Sequence, residues 1–181
     1  RQPSIRVTDI DIDPAACALA EESFAQNGLT GHTVLQADLR RRQELPPAGS
    51  FDMVVSNPPY FAADSGAVAA GQRGAARSEV TCTLAELCGA ASYLLRSGGQ
   101  LCLVYRAARL AELMALLRSY KLEPKELQTV QKTIDTPPRL VLLRCRKDGG
   151  TGLDIRPPLL LQKGDGSESE ALGRCYFRDR E

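Results

Sequence analysis

The sequence has no apolar run approaching the roughly 20 residues that a membrane-spanning helix needs, and nothing laid out like a signal peptide. The expectation is a cytoplasmic protein that works away from membranes. Cysteine is present but unpatterned. The six (Cys17, Cys82, Cys88, Cys102, Cys145 and Cys175) are scattered with no C-x-x-C pair, which removes both zinc-ligand spacing and a small disulfide framework. Cys17, Cys88 and Cys102 sit in apolar stretches, where a reduced thiol behaves as a small buried hydrophobe. Net charge is scarce too. The 23 basic residues face 22 acidic ones, for a formal charge of +1, so the overall basic imprint of a nucleic-acid binder is missing. Arg40-Arg41-Arg42, Arg73 with Arg77, and Arg144-Cys145-Arg146-Lys147 are local basic clusters that read as solvated faces balanced by acids. No repeat and no low-complexity tract interrupts the chain. Its 181 residues, 43% hydrophobic, suit one globular domain over residues 1–181 with a substantial core.

From Ile5 to Ile12 apolar and polar residues alternate and β-branched types are frequent, the pattern of a strand. Asp13-Pro14 then supplies an N-cap and a first-turn proline, which together start a helix. This helix is expected to turn Ala16, Leu19, Ala20, Ser23 and Phe24 toward a sheet and to stop at Asn27-Gly28. Thr33 to Gln36 reads as a second strand that closes on Ala37-Asp38. After a polar loop holding Pro46-Pro47, Phe51 to Ser56 reads as a third, with an apolar run suited to a buried parallel position. A Gly- and Ala-rich stretch from Phe61 to Ser78 follows; a loop of that length inside a compact domain signals function or disorder. Thr83 to Leu95 reads as a helix, and Ser97-Gly98-Gly99 as the turn into a strand from Gln100 to Tyr105. Ala107 to Tyr120 has the spacing of an amphipathic helix, with Leu110, Leu113, Met114 and Leu117 on one side. Leu127 to Val130 and Leu140 to Cys145 read as two more strands, joined by a loop with Pro137-Pro138. Residues 149–181 form a tail expected to pack on the domain through Leu159-Leu160-Leu161. This alternation implies an α/β fold, a mostly parallel sheet with helices on both faces. The last two strands lack a helix between them and should form an antiparallel hairpin at the C-terminal edge.

In open α/β sheets ligands bind beyond the carboxyl ends of the strands. Asp11 ends the first predicted strand, Asp38 follows the second and Asn57 follows the third. A carboxylate at such a tip commonly holds ribose hydroxyls. Taken singly, Asp11 or Asp13 is equally a turn or cap residue, and Asp13 is assigned to the cap. The run Asn57-Pro58-Pro59-Tyr60 is far more specific. By average usage, Asn/Asp-Pro-Pro-aromatic occurs by chance in about 0.4% of chains this long. A conjugated NH₂ is a poor nucleophile because its lone pair is delocalised. The Asn57 side-chain oxygen and the Pro58 carbonyl, accepting both amine hydrogens, favour the pyramidal form that develops during attack. The prolines fix the backbone so that these oxygens converge. Tyr60 offers a face for a planar substrate, worth roughly 1–3 kcal/mol per stacked base. The structural alternative is a rigid Pro-Pro turn capped by a tyrosine.

Val54-Val55-Ser56-Asn57-Pro58-Pro59-Tyr60 resembles motif IV of class I methyltransferases that act on adenine N6 or glutamine N5. The chain as a whole is similar to the bacterial tRNA1(Val) adenine-N6 methyltransferase family. That likeness is carried by Asn57 to Phe61, Ala76-Arg77-Ser78-Glu79, Tyr105-Arg106 with Arg109-Leu110, and Gly152 to Leu159. The resemblance implies a Rossmann-like fold, S-adenosylmethionine as cofactor, tRNA as partner and no metal. By it, Asp11 with Ile12 serves the ribose and Ala37-Asp38-Leu39 the adenine of the cofactor, beside Asn57. Asn57, Pro58, Pro59 and Tyr60 would be catalytic, and Tyr60, Phe61 and Arg77 would contact substrate. The target implied is the adenine just 3′ of the anticodon of a valine tRNA. The family's first strand and glycine-rich loop have no counterpart here, so the domain is expected to be N-terminally incomplete. A polypeptide starting at Arg1 is accordingly expected to be molten or aggregated. Two other readings stay open, a glutamine-N5 methyltransferase acting on a release factor and a catalytically inactive binding module. Oligomeric state is not encoded in any of these signals.

Overall fold

The computed structural model describes residues 5–58 and 82–176. The chain divides into two compact units, Arg1–Pro47 and Ala48–Glu181.

In the first unit, β1 (Val7–Asp11) pairs in parallel with β2 (His32–Gln36), Val7 opposite His32 and Asp11 opposite Gln36. Between them runs α1 (Pro14–Gln26). Its start follows the sequence signal. The Asp13 carboxylate accepts the Ala15 N–H at 2.9 Å, and Pro14 occupies the first turn. Its end does as well, with Gly28 at φ +58° just beyond Asn27. The buried face, however, is rotated from the expected one. Leu19 is 67% exposed and Ser23 is exposed, whereas Cys17 is buried beside half-buried Ala20 and Phe24. A stripe at i, i+3 and i+7 through Cys17 replaces the one through Leu19.

The second unit contains β3 (Phe51–Ser56), α2 (Leu84–Leu94), β4 (Leu95–Arg106), a 3-10 turn at Ala107–Arg109, and α3 (Leu110–Ser119). It continues through β5 (Leu122–Gln131), β6 (Leu140–Lys147), β7 (Asp154–Leu160) and α4 (Glu170–Cys175). The sheet order is β3-β4-β6-β5-β7. β3 is parallel to β4, β6 is antiparallel to both its neighbours, and β7 is parallel to β5. Thus β3, β4, β5 and β7 all run one way and β6 alone is reversed. The expected antiparallel pair is β5 with β6, and the tail extends the sheet beyond it as β7. Pro157 and Pro158 suit that outermost position, since neither can donate to a ladder.

The local chemistry explains these elements. Thr83 and Glu86 close a reciprocal capping box at the start of α2, the Glu86 N–H donating to Thr83 Oγ1 at 3.2 Å and the Thr83 N–H to Glu86 Oε2 at 2.7 Å. Ser97-Gly98-Gly99 forms a bulge within β4 rather than a turn before it. Phe51 faces Leu95 and Met53 faces Gln100, so two steps along β3 match five along β4. Gly98 sits at φ +76°, and a Cβ on Gly99 would lie 2.9 Å from the Arg96 carbonyl oxygen. The core lies on one sheet face, where Leu101, Leu103, Tyr105, Leu127, Val141, Leu143 and Cys145 are buried together with Leu87 and Leu94 of α2 and Leu113 and Leu117 of α3. All six cysteines are free thiols, and burial pushes Cys88 and Cys145 up to about 12, so both pack as neutral groups. β3 was expected to be buried. It pairs on one side only in this sheet, leaving Val55 73% and Met53 50% exposed.

Across the other sheet face Glu126 of β5 accepts from Arg144 Nε of β6 at 2.8 Å and from Arg156 of β7. These two guanidinium groups hold the Glu126 carboxyl down at about 2, from the usual 4.5. A depressed carboxylate contributes stability above its unfolded value and loses it as pH falls through the folded one. Glu126→Gln should therefore lower the melting temperature by a few degrees at pH 7. The gap to the parent protein should close between about pH 4.5 and pH 2, as followed by circular dichroism.

Candidate functional site

Asp11 ends β1 with its side chain exposed. Its Oδ1 accepts the Asp13 N–H at 2.9 Å, and its carbonyl accepts the Ala37 N–H at 2.9 Å, tying the ends of β1 and β2 together. The second carboxylate oxygen of Asp11 makes no hydrogen bond among the described residues. Asp38 is 6% exposed, and its carboxylate is gripped by Arg40. The Arg40 backbone N–H, Nε and Nη2 all donate to it at 2.7–3.0 Å. The Arg40 fork outweighs the cost of burial and holds the Asp38 carboxyl below its usual value. Glu44 completes the loop. Its carboxylate accepts the Asp38 N–H at 3.0 Å and pairs with Arg41 at 3.0 Å, and both contacts lower its pKa.

Ile12, Gln36, Ala37, Asp38, Arg40 and Glu44 border a cleft of about 390 Å³, into which Ile12 brings an apolar side chain and Gln36 and Asp38 polar edges. The structure thus brings Ile12 and Asp38 together on one cleft, while Asp11 stands at the adjacent strand tip and Leu39 is half-buried outside the lining. Arg40 and Glu44 were not foreseen as members. The basic run at 40–42 reads in sequence as a solvated face; the Asp-x-Arg spacing was the available sign that Arg40 turns back onto Asp38.

In the second unit Asn57 follows β3 directly and is exposed, with Pro58 half-buried. Asn57 borders a cleft of about 460 Å³ that runs over the sheet face past Val55, Cys102, Val104 and Arg144. Pro59, Tyr60, Phe61 and Arg77 lie outside the described residues. At the end of β4 a brace appears that the sequence does not advertise. The Tyr105 hydroxyl, buried, accepts from Arg109 Nη1 at 3.1 Å, and the Arg109 guanidinium lies 5.9 Å from the Tyr105 ring centroid. Arg109 also forks onto Glu112 at 2.6 and 2.7 Å and lowers its pKa. Among the described residues no group of three or more His, Cys, Asp or Glu side chains could hold a metal ion. No helix among them is long and apolar enough to cross a membrane.

The chain belongs to the methyltransferase small domain family, which it matches over residues 1–122. It is 32% identical over 160 residues to a tRNA1(Val) (adenine(37)-N6)-methyltransferase of Porphyromonas gingivalis, covering 87% of this chain and 62% of that protein. The like-named protein of Parabacteroides distasonis is 32% identical over 145 residues, covering 78% of this chain and 60% of its own length. The chain therefore spans somewhat over half the length of these relatives. Among solved structures, one described as a predicted O-methyltransferase of Agrobacterium tumefaciens superposes with a TM-score of 0.73 at 21% identity, over 92% of this chain and 74% of the other. The [4+2]-cyclase SpnF superposes with a TM-score of 0.59 at 14% identity, over 81% of this chain and 67% of the other. The fold is the Rossmann-like one of class I methyltransferases, with a mixed, mostly parallel sheet. A cyclase on the same fold means that the fold alone does not name the reaction.

Arg40→Ala should leave Asp38 buried without its fork and cost about 1–3 kcal/mol at pH 7, read from the denaturant midpoint. Because the Asp38 carboxyl is depressed in the folded state, the cost should be full at neutral pH and fade as pH falls below its ordinary 3.8.

Proposed function

We propose that the protein transfers a methyl group from S-adenosylmethionine to N6 of an adenine in tRNA, the adenine 3′ of the anticodon of a valine tRNA. The observation that carries this reading is the position of Asn57-Pro58 immediately beyond the carboxyl end of β3 in a parallel ladder with β4. The names of the relatives from Porphyromonas gingivalis and Parabacteroides distasonis support the adenine target.

The residues present fit the cofactor. Asp11 keeps a carboxylate oxygen for ribose hydroxyls, and Ile12 faces the cleft with an apolar side chain suited to the plane of an adenine. Asp38, engaged by Arg40, with Leu39 beside it, shapes the polar edge of that cleft. When bound, the cofactor supplies an electrophilic methyl group on a sulfonium. The chain's own residues prepare the nucleophile. Asn57 Oδ1 and the Pro58 carbonyl accept the two N6 hydrogens and draw the amine toward the pyramidal geometry in which its lone pair points outward. Pro59 keeps these acceptors from drifting apart, Tyr60 stacks on the base with Phe61 alongside, and Arg77 meets the RNA backbone. A base must leave its stack to reach the acceptors, at a cost of a few kcal/mol that is lowest in a loop such as the anticodon's.

Labelled methyl transfer to unmodified tRNA, with release factor as competing substrate, tests the reading; label in the protein rather than the RNA would overturn it. Asn57→Ala should lower kcat by about 10²–10³-fold with little change in cofactor affinity. Asp11→Ala should do the reverse and weaken cofactor binding by roughly 1.5–3 kcal/mol in calorimetric titration. An unchanged Kd would return Asp11 to a turn-forming role.

A further inference from the structure

Because β3, β4, β5 and β7 run in one direction, their carboxyl ends share one edge of the sheet. That edge carries Asn57 after β3, Arg106 at the end of β4, and the loop 132–139 after β5. The loop is held in one shape. The Thr133 N–H donates to Thr136 Oγ1 at 2.9 Å, the Thr136 hydroxyl and N–H both donate to the Thr133 carbonyl, and Pro137-Pro138 follows. It is pinned at both ends. The Arg139 carbonyl accepts the Ala107 N–H at 3.0 Å, next to Arg106, and the Lys132 carbonyl accepts the Gln162 N–H at 2.9 Å, just past β7.

This rigid loop presents Lys132 and Arg139 exposed, and neither side chain makes an ion pair or hydrogen bond among the described residues. Elsewhere Arg40, Arg109, Arg144 and Arg156 are engaged by carboxylates. Asp135 is the loop's single acid, and exposed Arg106 stands beside its far end. Ile134, 64% exposed, adds an apolar surface between the two cations. From β3 to β5 the sheet order counts three strand spacings, about 14 Å at ~4.8 Å each. That is the rise of about four stacked nucleotides at ~3.4 Å apiece.

We propose that Lys132 and Arg139, with Arg106, form a preformed seat for the phosphates of an RNA strand whose neighbouring base is delivered to Asn57. The proposal rests on the tRNA reading above and gives it a location. The seat grips the strand a few nucleotides from the reacting base. Its cations act as point and fork charges on phosphate, and preorganisation of the loop lowers the ordering cost of binding.

The test is Lys132→Ala/Arg139→Ala in the complete protein. Kd for unmodified tRNA is measured over a range of salt, beside cofactor affinity and steady-state kinetics. The expected result is about 10-fold weaker tRNA binding and a plot of log K against log salt shallower by about 1.4–1.8, two phosphate contacts having gone. KM for tRNA should rise while kcat and cofactor Kd stay put. Lys132→Arg/Arg139→Lys should restore the slope, because charge rather than shape carries the contact. An unchanged salt slope in the alanine variant, with the parent protein binding and methylating tRNA, overturns the seat alone. A parent protein that neither binds nor methylates tRNA overturns the functional reading, and the seat with it. A variant that retains tRNA binding but loses capture of a protein substrate would reassign the loop to that protein.

Discussion

A parallel ladder cannot be closed by a short hairpin; its second strand has to return through a crossover that carries the chain from one edge of the sheet back to the other. β3 and β4 are such a pair. Their shared direction fixes where Asn57 can be, since the residue that leaves β3 must leave at the carboxyl edge. It also explains why the far end of the crossover is α2, with its capping box at Thr83 and Glu86 and its buried face of Leu87, Cys88, Ala90, Ala91 and Leu94. The same direction, inherited by β5 through the single reversed strand β6, sets Arg106 and the loop 132–139 on that edge. One hydrogen-bonding constraint thereby gathers Asn57, Arg106 and the loop 132–139 along one edge of the sheet.

Charge is distributed by a second rule. A formal charge of +1 conceals many local pairings in which an arginine fork satisfies a carboxylate: Arg40 on Asp38, Arg109 on Glu112, Arg144 and Arg156 on Glu126. Exposed pairs contribute little stability, but a bidentate fork fixes geometry. Asp38 shows the difference. Its burial would favour the protonated form, and the fork reverses that preference, so the loop after β2 keeps an ionised carboxylate in a confined place. Lys132 and Arg139 stand outside such pairs among the described residues, which is why the proposed phosphate seat is placed on them.

Legibility in the sequence followed the range of the interactions. Asp13-Pro14 and Asn27-Gly28 act within a turn of helix, and each marked a real boundary. Phe51 to Ser56 was readable because its apolar run is short and bounded by turn residues. Features set by distant residues were not readable. The face of α1 is set where the helix lies against β1 and β2, and the bulge at Gly98 depends on the register with β3. β7 hid behind Pro157-Pro158, a loop signal in isolation and acceptable only because the strand takes the outer edge. Arg40 looked like surface charge because its partner Asp38 becomes a buried acceptor only in the folded chain, and nothing in the sequence paired Arg109 with the Tyr105 hydroxyl. The strand tips at Asp11, Asp38 and Asn57 were legible since each directly ends or follows a recognisable strand.

The same fold supports an O-methyltransferase-like structure and a cyclase, so the choice of reaction must lie in groups placed on it. In the role proposed for it, Asn57 would narrow the choice. An alcohol or phenol becomes a good nucleophile by losing a proton, which calls for a base, and an asparagine amide is not one. An amine conjugated to a ring needs no prior deprotonation; it needs its lone pair withdrawn from the ring. Two fixed neutral acceptors do this by holding both N–H bonds out of the ring plane, and they do it only for a nucleophile that has two hydrogens to give. An oxygen nucleophile would leave one acceptor without a partner, at a cost of about 1–3 kcal/mol if that acceptor is shielded from water. With Asn57 and the Pro58 carbonyl in the proposed role, that pair would select for a primary amine and against hydroxyl groups before any contact with the rest of the substrate is made.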